Sequence, residues 1–172
     1  MAKLIGALEK TKSSGVFIML DATVNPELSR SENSRACVCV YPKNMEPNIV
    51  SGLESNLRYL YDPMALARNN GIYVLPQWRM EFNTTDGDYF HTVMQTARDF
   101  DLPASRLYYW SNGMVLPYNS EKVMLCSAPI IASDGTVMGV CGFEVSEMLF
   151  KLSNMPDNSV YDYLFYVLSP LR

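Results

Sequence analysis

Two apolar runs rich in strand formers, within Lys122 to Glu144, flank Asp134-Gly135, a dipeptide that accepts the positive φ angles of a tight hairpin turn. Their alternation predicts a long antiparallel hairpin whose second strand ends at Glu144-Val145-Ser146. Ser146 is placed to cap a short helix from Glu147 to about Ser153 by accepting hydrogen bonds from its first free amides. Counting outward from the turn sets Glu144 opposite Leu125 and Cys126 opposite Phe143, with Ser127 and Gly142 on the Glu144 face.

Before the hairpin, Leu4, Ile5 and Leu8 recur at helical spacing and predict an amphipathic helix over residues 2–12. Gly15 to Val24 is a near-continuous apolar run that reads as a buried strand, stopped by Asn25-Pro26; a second strand is predicted over 35–41, ended by Pro42. Residues 42–56 show no period. Asp62-Pro63 opens a predicted helix that Gly71 closes, since the amide that proline lacks costs nothing at a first helical position. Residues 78–82 suit a short strand. Asp86 or Gly87 begins a helix in which Phe90, Val93, Met94, Ala97 and Phe100 form one stripe, with Pro103 as its stop. Arg106 to Ser111 is the next predicted strand, followed by Asn112-Gly113 and a loop with Pro117 and Tyr118. Tyr161 to Leu168 reads as a final strand, so that residues 155–172 close the domain or open a following subdomain.

At 172 residues the chain fits one domain, and with 48% hydrophobic and 19% charged residues it falls in the globular class rather than the disordered one. A net charge of -4 with no basic cluster removes the electrostatic attraction that nucleic-acid binding needs. No run approaches the roughly 20 apolar residues of a membrane span, and the first residues lack the pattern of a signal peptide. A soluble domain cut from a membrane protein would read the same way. Cys37 and Cys39 alternate on one strand, where a bridge would be strained, and a Cys126–Cys141 bridge would require distortion. The four cysteines therefore read as small core residues. Their spacing matches no zinc motif, no cofactor is implied, and His91 is the only histidine.

The richest chemistry lies in Arg106, Tyr108, Tyr109, Trp110 and Tyr118, with Glu144 across the hairpin. A guanidinium offers a two-pronged grip on a carboxylate, rings provide walls and a cation-attracting face, and an acid neutralises an ammonium. That combination suits a small zwitterion, with Ser127 as a hydroxyl at the pocket floor and Gly142 leaving space. Each residue also has a plainer reading: Arg106 as a solvated charge or a partner for Glu144, and the rings as packing on either sheet face.

The order Arg106-Leu-Tyr-Tyr, Tyr118, Ser133-Asp-Gly-Thr136 and Gly139-Val-Cys-Gly-Phe-Glu144 resembles the amino-acid-binding Cache domains, PAS-like sensors of bacterial receptors. Two departures stand out: Tyr108 where the family has Trp, and Glu144 in place of a shorter Asp. The resemblance covers the chain in element order and residues 105–150 in motif detail. It implies an α+β fold with a central antiparallel sheet, an N-terminal helix on one face and a helix and loop layer forming a pocket on the other. It also implies an extracytoplasmic, non-enzymatic sensor domain of a cell-membrane protein, anchored only by transmembrane helices outside this chain. Its ligand would be an amino acid or small organic acid. The ligand set it implies is Arg106, Tyr108, Tyr109, Trp110, Tyr118, Ser127 and Glu144, with Trp78 and Arg79 in the pocket-side segment. The N-terminal helix would offer a homodimer surface. Two alternatives stand beside it: a ligand-free PAS-like interaction or dimerisation module, and an enzyme using Cys126 or Cys141 as nucleophile.

Overall fold

A computed structural model describes residues 2–11, 13–27, 29–42, 57–61, 69, 81–116 and 121–154. In chain order these form α1 (Ala2–Thr11), β1 (Gly15–Leu20), β2 (Ser34–Pro42), β3 (Leu57–Tyr61), β4 (Glu81–Asn83), α2 (Asp88–Asp99), β5 (Tyr109–Trp110), β6 (Met114–Val115), β7 (Lys122–Ile131), β8 (Val137–Ser146) and α3 (Glu147–Asn154). The helix predicted over 62–71 and the strand predicted over 161–168 lie outside the described residues.

The strands build one curled antiparallel sheet in the order β3-β2-β1-β8-β7-β5, with β4 also on β2 and β6 also on β7. The fold is thus α+β, and its centre joins the first to the last of the described strands: Gly15 pairs with Glu144, Phe17 with Gly142 and Leu20 with Gly139. Alternation then sorts the side chains. Phe17, Met19, Cys37, Cys39, Val123, Leu125 and Val140 face one way and pack with Tyr89, Phe90, Val93 and Met94 of α2. Val16 and Val40 face the other way and pack under Leu8 of α1, with Leu4, Ile5 and Phe143 beside them. Each fully buried Val, Leu or Phe contributes about 1.5–3 kcal/mol, so the two-sided core is what holds both helices to the sheet.

The expected hairpin register is present, with Leu125 opposite Glu144, Cys126 opposite Phe143 and Ser127 opposite Gly142. The turn reaches it by another route. Within the turn only Gly135 has positive φ, at 86°, and its amide donates to the Ala132 carbonyl at 3.0 Å while the Ala132 amide donates to the Thr136 carbonyl. This three-residue loop shifts the strands by one, and a register irregularity at Ile130/Ile131 restores them. Ser146 caps α3 as expected, its hydroxyl accepting from the Leu149 amide at 3.0 Å.

Three expectations are corrected. β1 stops at Leu20, four residues short of Val24, because the Asp21 amide makes a last bond to Met138 and Thr23 turns to Glu81. The strand expected at 106–111 is only Tyr109–Trp110, preceded by a 3-10 turn over Ala104–Arg106 in which the Arg106 amide bonds the Pro103 carbonyl. In α2 the stripe buries Phe90, Val93 and Met94 but leaves Phe100 exposed at the extended cap residue. β3, Leu57-Arg-Tyr-Leu-Tyr61, lies between the aperiodic residues 42–56 and Asp62-Pro63, where no element was expected.

Candidate functional site

Glu144 sits on the α2-facing side of the central pair and is only 2% exposed. The chain brings it there because β8 is long enough to run past the Gly15 end of β1. Ser14 meets it at that point: the Ser14 hydroxyl lies 2.9 Å from the Glu144 carbonyl and 3.3 Å from its Oε1, and accepts from the Ser146 amide at 2.9 Å. Next to it in the chain, the Ser13 hydroxyl donates to the Gly15 carbonyl at 3.1 Å and lies 2.8 Å from the Oγ1 of Thr11, the last residue of α1. The buried carboxyl thus meets Ser14 directly, and only the backbone through Ser13 joins that contact to the end of the N-terminal helix.

Diagonal to Glu144 on the same face is Ser127, 0% exposed, whose Oγ is the one buried side-chain polar atom without a hydrogen-bond partner among the described residues. A lone unsatisfied hydroxyl costs about 1–3 kcal/mol, so its retention in a core calls for a reason. Tyr109 pairs with Ser127 from β5 and packs against the α2-side core. Burial, then the charge of Asp88, pushes its phenol above the ordinary tyrosine range.

The other expected residues do not converge there. Trp110 points to the opposite face, 38% exposed, and its ring meets Phe143 edge-on at 5.4 Å. Tyr108 is 60% exposed, and Arg106 is exposed on its turn. Alternation along β5 explains the split, since neighbouring strand residues take opposite faces. Gly142, expected to leave room, does not: a Cβ there would collide with the Cys126 carbonyl and lie 2.7 Å from the tip of the Phe17 ring. Trp78, Arg79 and Tyr118 lie outside the described residues.

A second polar cluster, which the sequence reading did not assemble, forms at the other end of β1. Asp21, just past Leu20, receives the Arg35 Nε at 3.0 Å and the Arg98 Nη2 at 2.6 Å. Arg35 also donates through Nη1 to the Ser31 and Ser34 carbonyls, and its guanidinium lies over the Phe90 ring at 5.6 Å. These groups border a cleft of about 320 Å³, which His91, Met94, Gln95 and Asp99 complete. The His91 Nε2 is 2.7 Å from the Thr84 carbonyl; since a carbonyl only accepts, Nε2 carries a proton and Nδ1 remains free to accept in the neutral ring. No local pattern in the sequence signalled this cluster; Asp21 and Arg98 are 77 positions apart.

Beside the cleft, Glu81 gathers the Thr23 hydroxyl at 2.5 Å, the Ser34 hydroxyl at 2.6 Å, and the Val24 and Asn25 amides. Burial acts to raise its pKa, but the hydrogen bonds from Ser34, Thr23, Val24 and Asn25 together outweigh that and hold it below the usual glutamate value. It fastens the loop after β1 to β2 and β4.

All four cysteines are free. Cys37 and Cys39 are buried with their sulfurs 2.9 Å apart, and burial first, then Cys39, pushes the Cys37 thiol well up. Burial and the neighbouring Cys141 raise Cys126 to about 11. Both shifts run against the thiolate that nucleophilic attack requires. Among the described residues no three His, Cys, Asp or Glu side chains gather as metal ligands, and no helix is long and apolar enough to cross a membrane. Compared with protein-family models, curated proteins and solved structures, the chain matches none of them.

Proposed function

We propose that this chain is the extracytoplasmic, Cache-type PAS-like sensor domain of a bacterial transmembrane signalling protein. Its ligand is a small polar molecule such as an amino acid or organic acid. The observation that carries the reading is the fully buried, unpartnered Ser127 hydroxyl diagonal to the Glu144 carboxyl, on the sheet face that α2 covers. A ligand there gains a hydrogen bond that the protein alone leaves unmade, and a carboxylate suited to an ammonium. The antiparallel sheet with a helix on each face is compatible with a PAS-like architecture.

Transmission follows from the serine links. A ligand that draws on Glu144 competes with Ser14, and a shift of Ser14 is passed along the backbone to Ser13, whose hydroxyl meets Thr11 at the end of α1. Signalling then requires only that the ligand prefer one of two α1 positions. A second reading, a ligand-free interaction module, draws support from the Phe17 ring that covers Gly142.

A thermal-shift panel of amino acids and short organic acids separates the two. The sensor reading expects one chemical class to raise Tm, by the equivalent of about 2.7 kcal/mol at a hundred times Kd. It also expects the shift to vanish in Ser127→Ala and Glu144→Gln. Silence across the panel leaves the ligand-free module, and a shift that both variants retain overturns the interior site, because the ligand then binds elsewhere.

A further inference from the structure

The cleft at the far end of β1 has the chemistry of a separate small-anion site. Asp21 uses one N–H of Arg35, at Nε, and one of Arg98, at Nη2, while the Ser31 and Ser34 carbonyls take the Arg35 Nη1. Among the described residues, the Arg35 Nη2 and the Arg98 Nε and Nη1 have no hydrogen-bond partner. Each guanidinium carries five donors in a rigid plane, so those already engaged fix the direction of those left over. Asp21 thus acts as an internal splint that holds two guanidiniums at one cleft.

Charge decides which anion fits. Two guanidiniums and Asp21 sum to one positive charge, and Asp99 on the lining balances it. A dianion such as phosphate would face two carboxylates for two guanidiniums, whereas a single carboxylate replaces only water on the remaining donors. Size narrows it further: about 320 Å³ is at the small end of ligand sites, and Phe90 and Met94, both buried, reach the cleft only with their edges.

We propose that this cleft binds a small monocarboxylate with a short apolar body. Its carboxylate lies on the open edges of Arg35 and Arg98, and its body lies against Phe90 and Met94. The site stands on its own geometry and does not rest on the sensor reading. Arg98 is the residue to remove, because it is 55% exposed and its loss leaves the core intact.

The experiment titrates the full chain with acetate, propionate and butyrate, and with inorganic phosphate, following the His91 ring resonances by NMR. Saturable shifts are expected for the carboxylates, tightening with chain length. Arg98→Gln should weaken them roughly tenfold or more, the worth of a charge-assisted hydrogen bond. Ser127→Ala should leave them unchanged, which keeps this site distinct from the interior one. Phosphate binding as tight as butyrate, equal affinity in Arg98→Gln, or an absence of saturable shifts overturns the assignment.

Discussion

At its Gly15 end, β1 lies beside a carboxyl sealed from water and joined to a serine; at its Leu20 end it runs into Asp21, which two arginines share at an open cleft. Six residues of strand put these ends roughly 20 Å apart. The same functional group is therefore held under opposite conditions. Inside, water cannot serve a polar atom, so an unpaired one such as the Ser127 hydroxyl points to a missing partner. Outside, water meets every donor at little cost, and what distinguishes the site is the fixed aim of its guanidiniums.

Substitutions at the two ends should differ in size accordingly. The largest effect is expected from Gly142→Ala, whose methyl has no room between the Cys126 carbonyl and Phe17; a loss of about 1–3 kcal/mol or more in a denaturant melt is expected. A neutral result would mean that the closed end holds more space than its packing implies. Ser127→Ala should move the other way and stabilise the ligand-free protein by about 1 kcal/mol, because it deletes an unpaired group. Destabilisation there would mean that the hydroxyl has a partner. At the open end Arg98→Ala should cost no more than about 1 kcal/mol, and less at high salt.

Acid should also loosen the open end first. Glu81 has a folded pKa below its ordinary value, so its contribution is complete above the unfolded value of about 4.3 and is lost as pH falls through the lower folded one. Hydrogen exchange at the Val24 and Asn25 amides should accelerate below about pH 4 relative to a Glu81→Gln variant, in which that step should be missing.

Much of the closed end was legible in the sequence because it is local. One turn fixes the partners of Leu125, Cys126 and Ser127, and the turn shift and strand irregularity cancel. The capping of α3 by Ser146 was legible for the same reason. What failed was the direction and extent of a two-residue strand: Tyr109 and Trp110 take opposite faces, and Arg106 folds into a turn that an apolar pattern does not signal. The space around Gly142 was misjudged because the ring that fills it comes from Phe17, far away in the chain. The open cleft was illegible throughout, since Asp21, Arg35 and Arg98 come from a strand end, a strand start and the polar side of a helix.

The sensor account stands most directly on where the stabilising ligand from the thermal-shift panel binds. Mapping backbone amide shifts by NMR on its titration should show perturbations at Ser127, Gly142 and Glu144 together with Ser14 and the last turn of α1. Perturbations confined to the Arg35 and Arg98 cleft, or an interior that stays silent while Tm rises, would contradict it.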